Sequence, residues 1–306
     1  MKKWIAFCVV LCMLLMLAAC GSVADLESAV NDLESAADNL EPVVDQDLFE
    51  KEEVRQPDFP ETVIVDNENC TVKIIGIDAN NVWGYTLKVF LENKTDLNLM
   101  FSLDKVSVND YMCDPFWATT VTAGMKSNEE VSFSSDDFEE IGITDVTDIT
   151  FQLRVYDSDN WDAEDLVNDM FTIYPLGEDA DQEYHREVQP EDLVLFDTDT
   201  CAMIVTGYEP DNLWGYTVKV FLVNKTEHAL MFSVDDAAVN GFMCDPFWAK
   251  EVAAEKMSYA EISWAEESFE ENGITEVEIL TLPISVYDNE NWEVDHYIDE
   301  TFEVKP

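Results

Sequence analysis

The sequence is poor in basic residues. Lys and Arg number 16 against 66 Asp and Glu, which gives a formal net charge of −50. Nucleic-acid binding needs Lys and Arg against the phosphates, so this composition argues against a nucleic-acid partner. Histidine is also scarce, with three in the chain, and no hydrolase, zinc-protease or nucleotide-binding motif occurs. The sequence therefore predicts no cofactor and no histidine-dependent catalysis.

A long hydrophobic run is also missing. The apolar stretch Trp4–Leu17 is shorter than the roughly 20 residues of a membrane span. It follows Lys2 and Lys3 and leads into Leu-Ala-Ala-Cys, which is typical of a secretory signal over 1–19. The end of this segment resembles the lipobox of bacterial lipoproteins. That resemblance implies diacylation of Cys20 and an extracytoplasmic protein anchored to the cell membrane; the alternative is an ordinary cleaved signal.

Residues 20–61 are strongly acidic and contain few aromatic residues. The segment ADLESAVNDLESAADNL has apolar residues at three- and four-residue steps for about two heptads, which predicts at most a short helix. The remainder contains Pro57 and Pro60 and has the composition of a linker. We expect this segment to be a stalk.

The rest of the chain is an internal duplication. Residues 70–161 align with 201–292 without a gap, and 46 of the 92 pairs are identical. Each copy has the size of a domain, so each is expected to close its own core. We predict a first domain over 62–175, a polar linker over 176–190 and a second domain over 191–306.

Each copy has the pattern of a β protein. Short runs rich in β-branched and aromatic residues are separated by Asn, Asp, Gly or Pro, and the only helical turns are expected at 136–142 and 267–273. Seven or eight strands per copy predict an all-β fold of two tandem, immunoglobulin-like, antiparallel β-sandwiches. Pro283 falls in a predicted strand and is expected at an edge or a bulge, because proline cannot donate a ladder hydrogen bond.

Three segments carry a resemblance to known proteins: WGYTLKVFLENKT, LMFSLDKVSVNDYMCDPFWA and LRVYDSDNW. They resemble the uncharacterised immunoglobulin-like domains of secreted and lipid-anchored Gram-positive bacterial proteins. The resemblance covers both copies and implies an extracellular β-sandwich at the cell surface. It supplies no catalytic residues.

Four cysteines remain after the signal and the lipidated residue are set aside. Cys70 and Cys113 have the same spacing as Cys201 and Cys244. A duplicated pair in an exported domain predicts one disulfide in each copy, Cys70–Cys113 and Cys201–Cys244. The alternative is buried free thiols that pack as small apolar groups. A zinc site is not indicated, since the CxxC spacing is missing.

The heptapeptide Met-Cys-Asp-Pro-Phe-Trp-Ala occurs in both copies, at 112–118 and 243–249. Its aromatic residues are candidate ligand contacts, and neighbours in an extended strand point to opposite faces, so one ring of each pair is expected to be exposed. These candidates are Phe116, Trp117, Phe247 and Trp248. The alternation of Trp83 and Trp214 with buried-type residues predicts instead that these two lie in the core.

Two acidic loops have the composition of calcium sites, with Asp157 and Asp159 in one and Asp288 and Glu290 in the other. They depart from the EF-hand pattern, because tryptophan stands at the fifth position and the glycine is missing. They are weak calcium candidates, and a solvated loop is the alternative. The sequence predicts no other metal site.

These observations favour a non-catalytic surface protein for binding, adhesion or envelope architecture, with a surface glycan or a protein as ligand. A carbohydrate- or peptide-binding module that uses exposed aromatic residues is an alternative. A second alternative is a surface hydrolase with two carboxylates in a concave pocket.

Overall fold

The computed structural model describes residues 54–160, 162–180, 184, 186–291 and 293–306. The predicted signal, Cys20 and most of the predicted stalk lie outside these residues. Within the described residues, no helix is long and apolar enough to cross a membrane.

In its described part, the first repeat contains nine strands and one short helix, α1. They are β1 (Thr62–Asp66), β2 (Cys70–Asn81), β3 (Gly84–Asn93), β4 (Leu99–Val108), β5 (Tyr111–Met112), β6 (Ala118–Val121), β7 (Lys126–Phe133), α1 (Ser135–Ile141), β8 (Ile149–Asp157) and β9 (Val167–Ile173).

The second repeat follows the same order. Its elements are β10 (Leu193–Asp197), β11 (Cys201–Asn212), β12 (Gly215–Asn224), β13 (Leu230–Val234), β14 (Ala238–Val239), β15 (Phe242–Met243), β16 (Trp248–Val252), β17 (Met257–Trp264), α2 (Glu266–Asn272), β18 (Leu280–Asp288) and β19 (Ile298–Val304).

Each repeat buries a separate core between antiparallel sheets. In the first, the sheet β1-β2-β3-β7 faces strands β6, β4, β8 and β9. Apolar side chains of β3 such as Tyr85, Leu87 and Leu91 are buried at alternate positions, as a strand with one face on the core requires. The second repeat has its own buried cluster. The prediction of an all-β sandwich is confirmed, and the finer immunoglobulin-like assignment stays a prediction.

The two predicted helical turns are confirmed. Helix α1 begins after Ser134, whose hydroxyl accepts a hydrogen bond from the backbone N–H of Asp136 at 3.2 Å. It ends at Gly142, which takes the left-handed conformation at φ 79°. Helix α2 ends in the same way at Gly273, with φ 68°. Glycine is favoured at this position because it has no Cβ to clash with the backbone.

Pro283 lies in β18, which has neighbours on both sides, so the expectation of an edge strand is wrong. The predicted alternative is a bulge, and the structure shows an interruption of the facing strand at this position. In the first repeat the equivalent Gln152 pairs with Asp104 of the continuous strand β4. In the second repeat the facing strand is interrupted between Val234 and Ala238. The break removes the ladder position that proline cannot satisfy.

The repeats are joined by strand pairing. Strand β5 of the first repeat lies parallel to β17 of the second, with Tyr111 opposite Met257. The backbone N–H of Met257 donates to the carbonyl of Asp110 at 2.9 Å, and the Lys256 ammonium pairs with the Asp110 carboxylate at 2.6 Å. Sheet β10-β11-β12-β17 therefore continues through β5 into β4, β8 and β9.

Candidate functional site: exposed aromatic residues in both repeats

The hairpin between β2 and β3 carries an exposed tryptophan. Asn81 pairs with Gly84, so the loop consists of Val82 and Trp83. The side chains of these two residues are 87% and 73% exposed. The Asn81 Oδ1 atom accepts a hydrogen bond from the Trp83 N–H at 3.1 Å, which orients the loop. The ring is thus held away from the core on a short, ordered turn.

The second repeat has the same hairpin tip between β11 and β12. Leu213 and Trp214 are 88% and 71% exposed, and Asn212 Oδ1 accepts from the Trp214 N–H at 3.0 Å. Large apolar side chains are therefore exposed at equivalent positions of both repeats, which makes them candidates for an interaction site. We refer to residues 82–83 and 213–214 as the hairpin tips.

A glycine fixes each hairpin tip against the neighbouring strand. Gly84 has φ 104°, and a Cβ atom there would lie 1.9 Å from the carbonyl oxygen of Phe133 in β7. Gly215 has φ 96°, and a Cβ would lie 2.0 Å from the carbonyl oxygen of Trp264. Only glycine fits such a close approach to backbone. The tip is therefore positioned by the sheet itself.

The prediction that Trp83 and Trp214 belong to the core is wrong. Tyr85 and Leu87 do alternate into the core, but the strand begins at Gly84 and the tryptophan precedes it. The alternation therefore does not extend to the loop. The signal that identifies the loop is Asn-x-x-Gly, a two-residue hairpin connection between two apolar runs.

The heptapeptide places a second exposed ring in each repeat. Phe116 is 91% exposed and Phe247 is 90% exposed. Both have positive φ, 47° and 50°, which is an outlier for a bulky residue. The carboxylates of Asp114 and Asp245 accept the backbone N–H of Phe116 and Phe247 at 2.7 and 2.9 Å. An Asx turn therefore holds each ring outward in a strained conformation.

The adjacent tryptophans take the opposite environment. Trp117 packs partly buried against the first core, and Trp248 packs in the same way against the second. The expectation that one ring of each pair is exposed is confirmed. The cause is different from the one expected, because the exposed phenylalanine sits in a left-handed turn rather than in an extended strand.

The predicted disulfides are wrong: Cys70, Cys113, Cys201 and Cys244 are buried free thiols. In the second repeat, Cys201 lies opposite Asn224 of β12. The Cys244 carbonyl accepts the Trp264 indole N–H at 2.8 Å, at the other end of the same sheet.

Trp264 lies opposite Tyr216, eight positions from Asn224 along β12. The strand rise makes this separation roughly 26 Å. The two cysteines therefore lie at opposite ends of the sandwich, and a disulfide requires Cα atoms within about 7 Å.

The first repeat has the same arrangement of its cysteines. Cys70 lies opposite Asn93 at one end of the sheet. Cys113 lies near α1, since besides burial the charge of Asp137 on this helix contributes to its raised pKa, and α1 follows the other end of β7. Burial raises the pKa of Cys70 to about 11 and that of Cys113 to about 12. These thiols are protonated at neutral pH and serve as small core groups.

The acidic residues predicted as weak calcium ligands form hydrogen bonds and an ion pair with neighbouring protein groups. Asp157 Oδ1 accepts the N–H of Asp159, and Asp159 Oδ2 accepts the amide of Asn98. Asp288 is buried, and its Oδ1 accepts the N–H of Glu290 at 2.8 Å, while Glu290 pairs with Lys105 at 2.9 Å. Among the described residues, acidic, His and Cys side chains form no group of three that could hold a metal ion.

Trp161 and Trp292, the fifth residues of these acidic loops, lie outside the described residues. No protein-family model matches the chain, and no curated protein matches it. Inference about function therefore rests on the geometry of the two repeats.

Proposed function

We propose that this is a lipid-anchored cell-surface protein that binds a ligand, without catalysis, through the hairpin tips of two immunoglobulin-like repeats. The observation that carries the proposal is the repetition of an exposed tryptophan on a rigid, glycine-locked hairpin in both copies. Tryptophan supplies a large, rigid contact surface with one polar atom, and such residues dominate binding energy at interfaces.

The ligand is a surface glycan or protein that presents a flat apolar face to the indole. The acidic surface keeps the protein soluble despite these exposed rings. Two equivalent sites on one chain allow bivalent binding, which raises the apparent affinity for a repetitive surface. The exposed Phe116 and Phe247 extend the apolar surface available to the ligand.

A binding screen on purified cell-wall material, surface glycans and surface proteins tests the proposal. The variant Trp83→Ala/Trp214→Ala should lose at least tenfold in affinity, because truncation of an aromatic anchor costs about 2 kcal/mol. Either single variant should lose the bivalent part of the affinity and keep one-site binding.

Met170→Ala is the matched control, since Met170 is also an exposed apolar residue but lies in strand β9 and not in a hairpin tip. It should bind as the unmodified protein does. Full binding by the double tryptophan variant would refute the role of the tips. Chemical change in the recovered ligand would refute a non-catalytic function. Cys20→Ala should release the protein into the medium, and retention at the membrane would contradict the lipid anchor.

A further inference from the structure

A short extended segment closes one end of the first repeat. The backbone N–H of Arg55 donates to the carbonyl of Thr144 at 2.8 Å. The Gln56 side chain donates to the Ile77 carbonyl and accepts from the Ala79 N–H, both at 2.8 Å. We call residues 54–59 the closing segment. It lies across the groove between the end of β2 and the loop after α1.

Two more contacts fix the closing segment in this groove. The Asn80 amide donates to the Val54 carbonyl at 3.1 Å, and the Arg55 guanidinium lies 3.8 Å from the Asp145 carboxylate. Val54 and Phe59 pack against the first core. The groove of the first repeat is therefore filled by an extended segment of its own chain.

In the described part of the chain, no segment covers the equivalent groove of the second repeat, which we call the open groove. It has a volume of about 630 Å³, and Tyr208, Pro210, Asp211, Thr275 and Glu276 are part of its lining. These five correspond by the 131-residue offset to the five residues that hold the closing segment.

The two grooves differ in how far their residues are covered. Ala79 is 3% exposed under the closing segment, whereas the equivalent Pro210 is exposed. Val146 is buried in the first repeat, and its counterpart Val277 is only half-buried. The second groove thus occupies the same position in its repeat, and no described residue covers it as the closing segment covers the first.

Among the described residues, no segment covers the second groove, because the described chain before this repeat lies at the junction between the repeats, where Tyr184 packs against the cluster that contains Tyr111. Arg186 is equivalent to Arg55, yet its guanidinium forms two hydrogen bonds with Asp192, at 2.6 and 2.7 Å. The same group lies 5.5 Å from the ring centroid of Phe221 and donates to the Tyr259 hydroxyl. These contacts hold the residue away from the open groove.

Substitutions change what the open groove can bind. Pro210 has no N–H, so the donor that holds the glutamine side chain in the first repeat is gone. Asp211 replaces the amide donor Asn80 with a carboxylate, and Glu266 replaces Ser135. Glu276 keeps the negative charge of Asp145, and none of the described residues that line the groove is basic. The groove now offers acceptors and negative charge.

We propose that the open groove of the second repeat binds an extended peptide segment of a partner protein that carries Lys or Arg side chains. The carbonyls of Tyr208 and Thr275 are equivalent to the two carbonyls that accept from the closing segment, so they are placed to accept N–H groups of the peptide. The carboxylates of Asp211, Glu266 and Glu276 pair with its cationic side chains. The apolar ring of Phe269 lines the same groove and packs against the peptide.

The test uses the full-length protein and three labelled hexapeptides in fluorescence anisotropy at low salt. The cationic probe is Val-Arg-Lys-Pro-Lys-Phe, and the other two are the closing-segment sequence Val-Arg-Gln-Pro-Asp-Phe and the acidic Val-Glu-Glu-Pro-Asp-Phe. The cationic probe should bind most tightly, and the acidic one should not bind. Binding of the cationic probe should weaken as salt screens the charges.

The variant Asp211→Asn/Glu276→Gln should weaken binding of the cationic probe by about tenfold, since it removes two partly exposed ion pairs with the peptide. Asp145→Asn is the matched control, because it makes the same change in the filled groove and should leave binding unaltered. Thermal unfolding of all variants establishes that they are folded.

Three results would overturn the proposal. The first is no binding of the cationic probe, and the second is equal binding by the double variant. The third is tighter binding of the closing-segment sequence than of the cationic probe, which would assign the groove to a second copy of this chain.

Discussion

Tyr111 of the first repeat stacks on Tyr259 of the second, with ring centroids 6.1 Å apart and planes 12° from parallel. Phe221 completes the cluster, 5.0 Å from Tyr259 and 6.2 Å from Tyr111. Together with the β5–β17 pairing, this cluster fixes the orientation of the repeats. The two hairpin tips consequently stand at defined positions relative to each other, which bivalent binding to a regular surface requires.

The first prediction concerns this junction. Tyr111→Ala should lower the free energy of unfolding by about 2–4 kcal/mol, because it removes a buried ring that contacts both repeats. Chemical denaturation followed by tryptophan fluorescence measures the change. The matched control is Phe242→Ala, at the equivalent position of the second repeat, where the ring is exposed. It should change stability by less than about 0.5 kcal/mol. Equal effects from the two variants would contradict the role of the junction.

The second prediction concerns the glycine behind the first hairpin tip. Gly84→Ala should destabilise the protein by about 3 kcal/mol or more, because its Cβ would collide with the Phe133 carbonyl and its φ is strained for alanine. Thermal unfolding measures this. Gly76→Ala is the control, since nothing lies within 4 Å of a Cβ at Gly76. A mild effect at Gly84, similar to that at Gly76, would show that the hairpin is not locked against β7.

The third prediction separates stability from binding at Phe116. Phe116→Asn should stabilise the protein by about 0.5–1 kcal/mol, because asparagine tolerates the left-handed conformation and the lost ring is solvent-exposed. The same variant should weaken ligand binding if the ring contacts the ligand. Trp117→Ala serves as the comparison and should cost about 2 kcal/mol, since its ring packs against the core. Destabilisation by Phe116→Asn would show that the turn is not strained.

The fourth prediction concerns the thiols. Mass spectrometry after alkylation without reductant should show the four cysteines of the repeats labelled in denaturant. Labelling of the folded protein at pH 8 should be slow, because burial keeps these thiols protonated. The denatured protein with reductant is the control for complete labelling. Cysteines that remain unlabelled in the denatured, unreduced protein would support the predicted disulfides.

The fifth prediction is a loss of stability at high pH. The pKa of Cys113 is raised to about 12 in the folded state from 9.0, so above pH 9 the unfolded chain releases a proton that the folded chain retains. The contribution of Cys113 to the free energy of unfolding should therefore be constant below pH 9 and fall as the pH rises towards 12. Cys113→Ala should show a shallower decline. An identical decline in this variant would assign the effect to other groups, of which Tyr85 is one, since burial also raises its pKa.

Much of the architecture could be predicted from local pattern. The alternation of Tyr85, Leu87 and Leu91 identifies a strand with one buried face, and Gly142 marks the end of a helical turn, because each depends on a few consecutive residues. The duplication places every such element twice. The sequence also predicts that one ring of each Phe-Trp pair is exposed, but it leaves open which of the two.

The residues that the sequence placed wrongly are those whose environment depends on where a strand begins or on which parts of the chain come together in the fold. Trp83 continues the alternation of the core residues but lies one residue before the strand begins at Gly84. This one position places its ring in solvent and not in the core. The cysteines share a spacing, yet the sheet puts them at opposite ends of the sandwich. Matching spacing in sequence does not place two side chains near each other in space.

The sequence by itself determined that the chain is acidic, duplicated and built of β-strands, because charge, repetition and alternation are properties of residue order. Only the tertiary structure decided that Arg55 closes one groove while the equivalent Arg186 pairs with Asp192 and does not cover the other groove. The reason is physical: the two positions carry the same residue, but the fold brings different partners to each, Thr144 and Asp145 to Arg55, and Asp192 and Phe221 to Arg186.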